Sequence, residues 1–259
     1  MNKKLIKGGK KLLGYFPYGN QLVSYLKWKI KGIYKCRHIP TKAGVFYETN
    51  PEIGTINIEV KMQRVASGGI FEHLDMIATN KAIGQRFLTS DIHRVVNIGS
   101  GVGTFENVNA LQFPDIQFLA SEMDVKSTKW TIANRSFPNV RYCTDTMTTI
   151  LNAEAKFDLA VTIDVIEHVA DYKSFLDEFA LLADKAVIAT PNRDRNCDEM
   201  RKPRYKYHVQ EFNAGELYFI LKMYYRRVEL FSAPNIFETD LIPVGLYSSY
   251  EKLFAYCEK

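Results

Sequence analysis

The sequence predicts an α/β fold in which a mostly parallel sheet of seven strands carries helices on both faces. From residue 93 onward, short apolar segments alternate with stretches of helical spacing, and this alternation is typical of βαβ units. A glycine-rich turn follows the first apolar segment, and two more apolar segments lie near the end of the chain. A strand, a glycine turn and a helix in succession indicate a Rossmann-like arrangement.

Each element follows from its own pattern. Apolar side chains recur at helical spacing from 71 to 88, which predicts a helix before the first strand. The next strands are predicted at 94–98, 117–121, 140–143, 159–163 and 186–190, with helices between them at 103–111, 125–135, 146–153 and 171–183. The last third predicts a helix at 215–225 and strands at 227–231 and 253–257, which we expect to close the sheet as a pair.

Charge is distributed unevenly along the chain. The formal net charge is +5, yet residues 1–42 contain eleven Lys or Arg and no acidic residue. We therefore expect a basic, partly helical N-terminal extension over 1–66 and the α/β domain over 67–259. Residues 1–42 either contact an anionic surface such as the inner face of a membrane, or form a basic helix that packs on its own domain.

The composition excludes several classes of protein. No apolar run reaches the roughly 18 residues that cross a bilayer, and the start of the chain has no apolar stretch typical of a secretory signal. The four cysteines are far apart and form no CxxC pair, so neither a zinc knuckle nor a disulfide framework is expected. A cytoplasmic protein is the interpretation that fits best.

The glycine-rich turn GSGVG occupies residues 99–103, between a predicted strand and a predicted helix. Glycines let the backbone approach a ligand closely, and a helix N-terminus offers unpaired N–H groups. A dinucleotide-binding turn has the spacing GxGxxG. Thr104 stands where the third glycine of that pattern would lie, which argues against a nicotinamide dehydrogenase.

Four segments, the first of which contains the glycine-rich turn, agree with one another in order and spacing. They are VVNIGSGVGTF at 95–105, FLASEMD at 118–124, VRYCTD at 140–145 and FDLAVTIDVIEHV at 157–169, and TPN follows at 190–192. Together they resemble the motifs of the class I S-adenosylmethionine-dependent methyltransferases, over about residues 70 to 259. The resemblance implies a seven-stranded methyltransferase domain with S-adenosylmethionine as its cofactor.

The resemblance also implies roles for individual residues. Glu122 matches the acid that accepts hydrogen bonds from the ribose hydroxyls, and Asp145 matches the one near the adenine. The expected cofactor-binding residues are Asn97, Gly99, Ser100, Gly101, Gly103, Glu122, Met123, Asp145, Thr146 and Asp164. Asn97 departs from the family pattern, which usually has Asp there. It keeps the hydrogen bonds but lacks the charge, so a lower cofactor affinity is expected.

Asp164, Glu167 and His168 follow the fourth predicted strand and are the predicted catalytic residues. An oxygen acceptor has to lose its proton, and an imidazole with a pKa near 6.5 is suited to accept it. His168 is therefore the predicted general base, with a structural histidine as the alternative.

A divalent cation is a second interpretation of the same segment. Glu167, His168 and His208 offer oxygen and nitrogen ligands, and the arrangement resembles metal-using ubiquinone-pathway O-methyltransferases and bacterial RNA-terminal 2′-O-methyltransferases. The DVxEH pattern also occurs in relatives with no known metal, so a site without metal is the expectation.

Six Arg or Lys side chains lie between residues 193 and 206, before the segment HVQEF at 208–212. This segment resembles HVREFTPEEL of methyltransferases that act in surface-polysaccharide and glycolipid synthesis. Guanidinium groups bind phosphate or carboxylate by paired hydrogen bonds, so Arg193, Arg204 and His208 are the predicted acceptor-binding residues. We expect O-methylation of a glycan, a lipid-linked sugar or another small anionic acceptor. The alternatives are a metal-dependent RNA 2′-O-methyltransferase and a non-catalytic membrane-associated scaffold, and nucleic acid is the less expected partner.

Overall fold

A computed structural model describes residues 70–196, 208–233, 240–248 and 250–259 of the chain. The predicted basic extension over 1–66 and the predicted acceptor residue Arg204 lie outside these described residues. The division of the chain at residue 67 therefore stays a prediction.

An eight-stranded sheet forms the centre of the described part, in the order β3-β2-β1-β4-β5-β8-β6-β7. The strands are β1 Arg94–Ile98, β2 Gln117–Ser121, β3 Val140–Cys143, β4 Phe157–Ile163, β5 Ala183–Pro191, β6 Arg227–Ser232, β7 Ile242–Pro243 and β8 Lys252–Glu258. Strands β1 to β5 pair in parallel. Strand β8 lies antiparallel between β5 and β6.

Helices precede and follow these strands. They are α1 Ile70–Phe87, α2 Thr104–Asn109, α3 Val125–Asn134, α4 Met147–Ala153, α5 Tyr172–Leu182, α6 Arg193–Asn196 and α7 Ala214–Leu221, with a 3-10 turn at Ile166–His168. Local hydrogen bonds fix several of their N-termini. Asn213, for example, begins α7 with a capping box, in which its side chain accepts from the Glu216 N–H and the Glu216 carboxylate accepts from the Asn213 N–H.

The core lies on both faces of the sheet, because the central strands direct buried apolar side chains to both faces. Along β4, Leu159 and Val161 belong to the cluster on one face, with α1 and α2. Ala160 between them belongs to the cluster on the other face, with α5 and α7. Strands that bury apolar side chains on both faces are typical of parallel sheets that are covered by helices on both sides.

The predicted α/β class and the mostly parallel sheet are confirmed. All seven predicted strands are present, and β6 and β8 pair with each other and extend the sheet beyond β5, as expected. The addition is β7, a two-residue strand paired with the end of β6, which is too short to leave a periodic signal in the sequence.

The topology brings the ends of several strands to one place. The carboxyl ends of β1, β2, β3, β4 and β5 lie at one edge of the sheet because these strands are parallel. Open α/β sheets bind ligands at this edge. Within the described residues, no helix is long and apolar enough to cross a membrane.

Candidate active site

The glycine turn after β1 has the backbone of a ligand cradle. Gly99 has a φ of 74°, and a Cβ there would lie 2.4 Å from Cγ2 of Val165, so a larger residue does not fit. Gly101 has a φ of 57°, and a Cβ there would meet no atom within 4 Å. The turn is thus tight against the segment after β4 and open at its centre, where a ligand can approach the backbone.

Glu122 follows β2 and lies against this cradle. Its Oε2 accepts from the Gly101 N–H at 2.8 Å, and its Oε1 accepts from the Asp124 N–H at 3.0 Å. These two bonds orient the carboxylate beside the turn, and each oxygen keeps a lone pair for a further donor. This arrangement suits the predicted ribose contact. Met123 beside it is 76% exposed.

Asp145, which is predicted to lie near the adenine, and Thr146, another predicted cofactor-binding residue, follow β3. The Ser121 hydroxyl donates to the Asp145 carbonyl oxygen at 2.5 Å, which ties the end of β2 to the segment after β3. Thr146 caps α4 by accepting from the Thr149 N–H at 3.2 Å. The structure therefore places Asp145 and Thr146 at the same edge as Glu122, and their contacts with the cofactor stay predictions.

Asn97 forms a hydrogen bond with a buried acid that the sequence motifs did not indicate. Its amide donates from Nδ2 to Oε1 of Glu106 at 2.8 Å, and both side chains are buried. Burial raises the pKa of the Glu106 carboxyl to about 7, although the Asn97 hydrogen bond acts in the opposite direction. A carboxyl group is thus present under the glycine turn, on helix α2 and not on strand β1.

Asp164 follows β4 and has unusual backbone geometry. Its φ of 56° makes it the one non-glycine residue of the described segments in the left-handed region, and such residues cluster at functional sites. Its Oδ2 forms an ion pair with Nζ of Lys252 at 2.6 Å. Lys252 is the first residue of β8 and lies opposite Pro191 at the end of β5.

Glu167 is fully buried in the 3-10 turn. The Thr190 hydroxyl donates to its Oε2 at 2.9 Å, while its Oε1 has no hydrogen-bond partner. Burial, and next the nearby charge of Asp164, raise the pKa of the Glu167 carboxyl to about 7. An orphaned oxygen on a buried carboxyl is a place where a donor or a cation would be stabilised.

The segment around His208 is fastened to this turn. The Val209 N–H donates to the Glu167 carbonyl oxygen at 2.8 Å, and the Gln210 amide donates to the Val169 carbonyl oxygen at 2.6 Å. Phe212 continues the attachment through a bridge with Asn192 after β5. Two distant parts of the chain therefore meet at one point.

Their meeting brings two imidazoles and two acids together. The rings of His168 and His208 lie with centroids 4.9 Å apart, and His208 Nδ1 lies 2.5 Å from Oε1 of buried Glu211. One ligand atom each from Glu167, His168 and His208 lies within 4.8 Å of the others. This set, a buried carboxylate and two half-buried imidazoles, has the composition of a divalent-cation site, and it equally suits proton transfer.

Arg193 has a different environment from the one expected of an acceptor-binding residue. It is buried, and its guanidinium pairs with Glu216 of α7 at 2.7 Å. Its N–H also donates to the Phe212 carbonyl oxygen at 2.9 Å. These contacts hold α6 against α7, and the Glu216 carboxylate balances the positive charge of Arg193. The predicted role of Arg193 in acceptor binding stays a prediction.

Comparison with known proteins identifies the family of the chain. A sequence profile described as a methyltransferase domain matches residues 70–224. The chain belongs to this family. It is a methyltransferase that uses S-adenosylmethionine, and the open glycine cradle beside Glu122 fits that cofactor. No curated protein sequence matches the chain significantly.

Solved structures agree on the fold. The plantazolicin methyltransferase in complex with SAH superposes with a TM-score of 0.58 at 9% identity, over 80% of this chain and 93% of that one. A SAM-dependent methyltransferase from Aquifex aeolicus gives 0.55 at 14% identity, over 81% and 98%. A TehB-like enzyme from Corynebacterium glutamicum gives 0.52 at 16% identity, over 81% and 100%. The chain thus has the fold of these methyltransferases.

Three residues of the site escaped the sequence reasoning. Glu211 had a signal, because it lies three residues after His208 in the segment already singled out. Glu106 had a weaker one, as an acid in the first turn of the helix after the glycines. Lys252 had none, because only the strand register brings it to Asp164.

Proposed function

We propose that the protein transfers the methyl group of S-adenosylmethionine to an oxygen atom of a glycan, a lipid-linked sugar or another small anionic acceptor. The observation that carries the proposal is the cluster of His168, His208, Glu167 and Glu211 beside Asp164. A hydroxyl acceptor needs its proton removed as the methyl group is transferred, and an imidazole held by a carboxylate is suited to take it. The anionic character of the acceptor is supported by the five Arg and Lys residues at 195–206.

A second candidate is a metal-dependent methylation of an RNA ribose 2′-hydroxyl. It is favoured by the close approach of ligand atoms from Glu167, His168 and His208 and by the unpartnered Oε1 of Glu167. A cation held by these residues would lower the pKa of the acceptor hydroxyl. The basic residues of 1–42 would then contact the RNA backbone, and in the first candidate they would contact an anionic membrane surface instead.

Transfer of labelled methyl groups separates the two candidates. The purified protein is incubated with S-adenosylmethionine labelled in the methyl group and with a cell extract separated into lipid, polysaccharide, small-molecule and RNA fractions, with and without EDTA. Label in the lipid, polysaccharide or small-molecule fraction that survives EDTA supports the first candidate. Label in RNA that EDTA abolishes supports the second, and label confined to protein contradicts both.

The same extract identifies the proton acceptor. Under the first candidate, His168→Ala and His208→Ala should each lower the rate of labelling while leaving binding of S-adenosylmethionine nearly unchanged. His93→Ala is the matched control, because His93 lies at the opposite edge of the sheet, just before β1. Equal labelling by all three variants would remove both imidazoles from the mechanism.

A further inference from the structure

The charge of the cofactor changes during methyl transfer, and the Lys252–Asp164 ion pair lies at the sheet edge that carries the glycine turn. S-adenosylmethionine carries a positive sulfonium, and transfer of its methyl group leaves the neutral thioether of S-adenosylhomocysteine. A site with a fixed negative charge near the sulfur binds the first more tightly than the second. A site whose charges are balanced distinguishes them less.

The pair is adjacent to the cofactor cradle. Val165, the residue after Asp164, fills the space in front of Gly99, where a Cβ would come within 2.4 Å of its side chain. Asp164 is fixed there by its own N–H, which donates to the Ala189 carbonyl oxygen at 2.9 Å. Its carboxylate is therefore positioned by strands β4 and β5 at the edge that carries the glycine turn.

Lys252 reaches this point from the opposite direction. Strand β8 is antiparallel to β5, so the beginning of β8 meets the end of β5, with Lys252 opposite Pro191. Its ammonium lies 2.6 Å from Asp164 Oδ2, and the two side chains retain 21% and 27% of their exposure. The pair is thus partly open and accessible to a ligand at this edge.

We propose that the Lys252–Asp164 ion pair sets the charge at the methyl-transfer end of the cofactor site, and that Lys252 limits the preference for S-adenosylmethionine over S-adenosylhomocysteine. Lys252 lowers the affinity for the sulfonium in two ways, because it repels the sulfonium and it neutralises the carboxylate that would attract it. Tight binding of the sulfonium in the ground state would not accelerate transfer, because that charge decreases in the transition state and is lost in the product. Lys252 therefore takes no part in the chemical step and sets the charge at this site both directly and through Asp164. The proposal depends on the cofactor and on the place of Asp164, and not on the identity of the acceptor.

Calorimetric titration of the full chain tests the proposal without an acceptor. Affinities are measured for S-adenosylmethionine, S-adenosylhomocysteine and sinefungin, an analogue with a cationic amine in place of the methylated sulfur. Lys252→Met should raise the affinity for each cationic ligand relative to S-adenosylhomocysteine about ten-fold, a ratio that corresponds to about 1.4 kcal/mol. Asp164→Asn should lower the same ratio, and Asn tolerates the left-handed backbone of this position.

Two controls keep the test specific. Lys252→Arg retains the charge, so the ratio of its affinity for the cationic ligands to its affinity for S-adenosylhomocysteine should equal that of the wild type. Lys156→Met removes a lysine that also pairs with an aspartate, Asp184, at 2.5 Å, but Lys156 precedes β4 and so lies at the other edge of the sheet. Its ratio should not change.

The outcome that overturns the proposal is a ratio within two-fold of the wild type in folded Lys252→Met. Lys252→Gln serves as the second variant if Lys252→Met does not fold, with the same expectation and the same overturning result. A rise that appears equally for S-adenosylhomocysteine would also overturn it, because the effect would then come from shape and not from charge.

Discussion

We expect Glu106 to lower the free energy of unfolding as the pH rises. The substitution Glu106→Gln should abolish this decrease. Its carboxyl is fully buried under the glycine turn, its Oε1 accepts from Asn97, and its Oε2 has no partner. Burial raises its pKa from the ordinary 4.5 to about 7 in the folded state. The folded protein therefore holds a proton on Glu106 over a pH range in which the unfolded chain has lost it.

The sign of the effect follows from proton linkage. Below pH 4.5 the group is protonated in both states and causes no difference. As the pH rises from 4.5 to 7 the folded state binds more protons than the unfolded state, so the free energy of unfolding falls. Because each pKa unit corresponds to about 1.4 kcal/mol, the loss reaches about 3 kcal/mol above pH 7.

Glu106→Gln removes this loss and keeps an oxygen that can accept from Asn97. We expect the variant to match the wild type near pH 4.5 and to exceed it at pH 8 by as much as about 3 kcal/mol, measured by urea denaturation across the pH range. Glu178→Gln, on the partly exposed surface of α5, is the control and should follow the wild-type curve. Parallel curves for wild type and Glu106→Gln would refute the reasoning, since the Glu106 carboxyl would then titrate alike in both states.

Three further predictions concern the cofactor cradle and the proposed base. Glu122→Ala should weaken binding of S-adenosylmethionine at least ten-fold in calorimetry, the loss that one charge-assisted hydrogen bond gives; near-normal affinity would remove Glu122 from the ribose contact. Gly99→Ala should destabilise the fold by about 1–3 kcal/mol in urea denaturation, because φ is positive and the methyl group would strike Val165. An unchanged midpoint would show that the turn is free to relax. His168→Ala should lower turnover with cofactor affinity within a few-fold, and full turnover would end its assignment as base.

The fold was accessible from the sequence because its signals are local. Strands β1, β2 and β3 have the predicted bounds, since glycine or a polar residue directly follows each of them. Strands β4 and β5 extend a few residues beyond their predicted starts. The added residues, such as Asp158 and Lys185, interrupt the apolar pattern, and only pairing with a neighbouring strand reveals that they continue it.

The site was accessible only where it follows the strand ends. Glu122, Asp145 and Asp164 each come directly or nearly directly after a parallel strand, so the topology alone places them at one edge. Residues that reach the same edge from another direction leave no such trace. Lys252 begins an antiparallel strand 88 positions away from Asp164, and no spacing rule connects the two.

The departure at Asn97 has a structural explanation that the motif alone does not give. The family usually has a carboxylate at this place, and its replacement by an amide led us to expect lower cofactor affinity. In the structure the amide is bonded to Glu106, one helix turn beyond the glycines. Two carboxylates at this distance in a buried site would repel each other or force one to stay protonated. Asn97 and Glu106 therefore form a compatible pair, with the amide on the strand and the acid on the helix, and the amide at position 97 is no sign of an inactive enzyme.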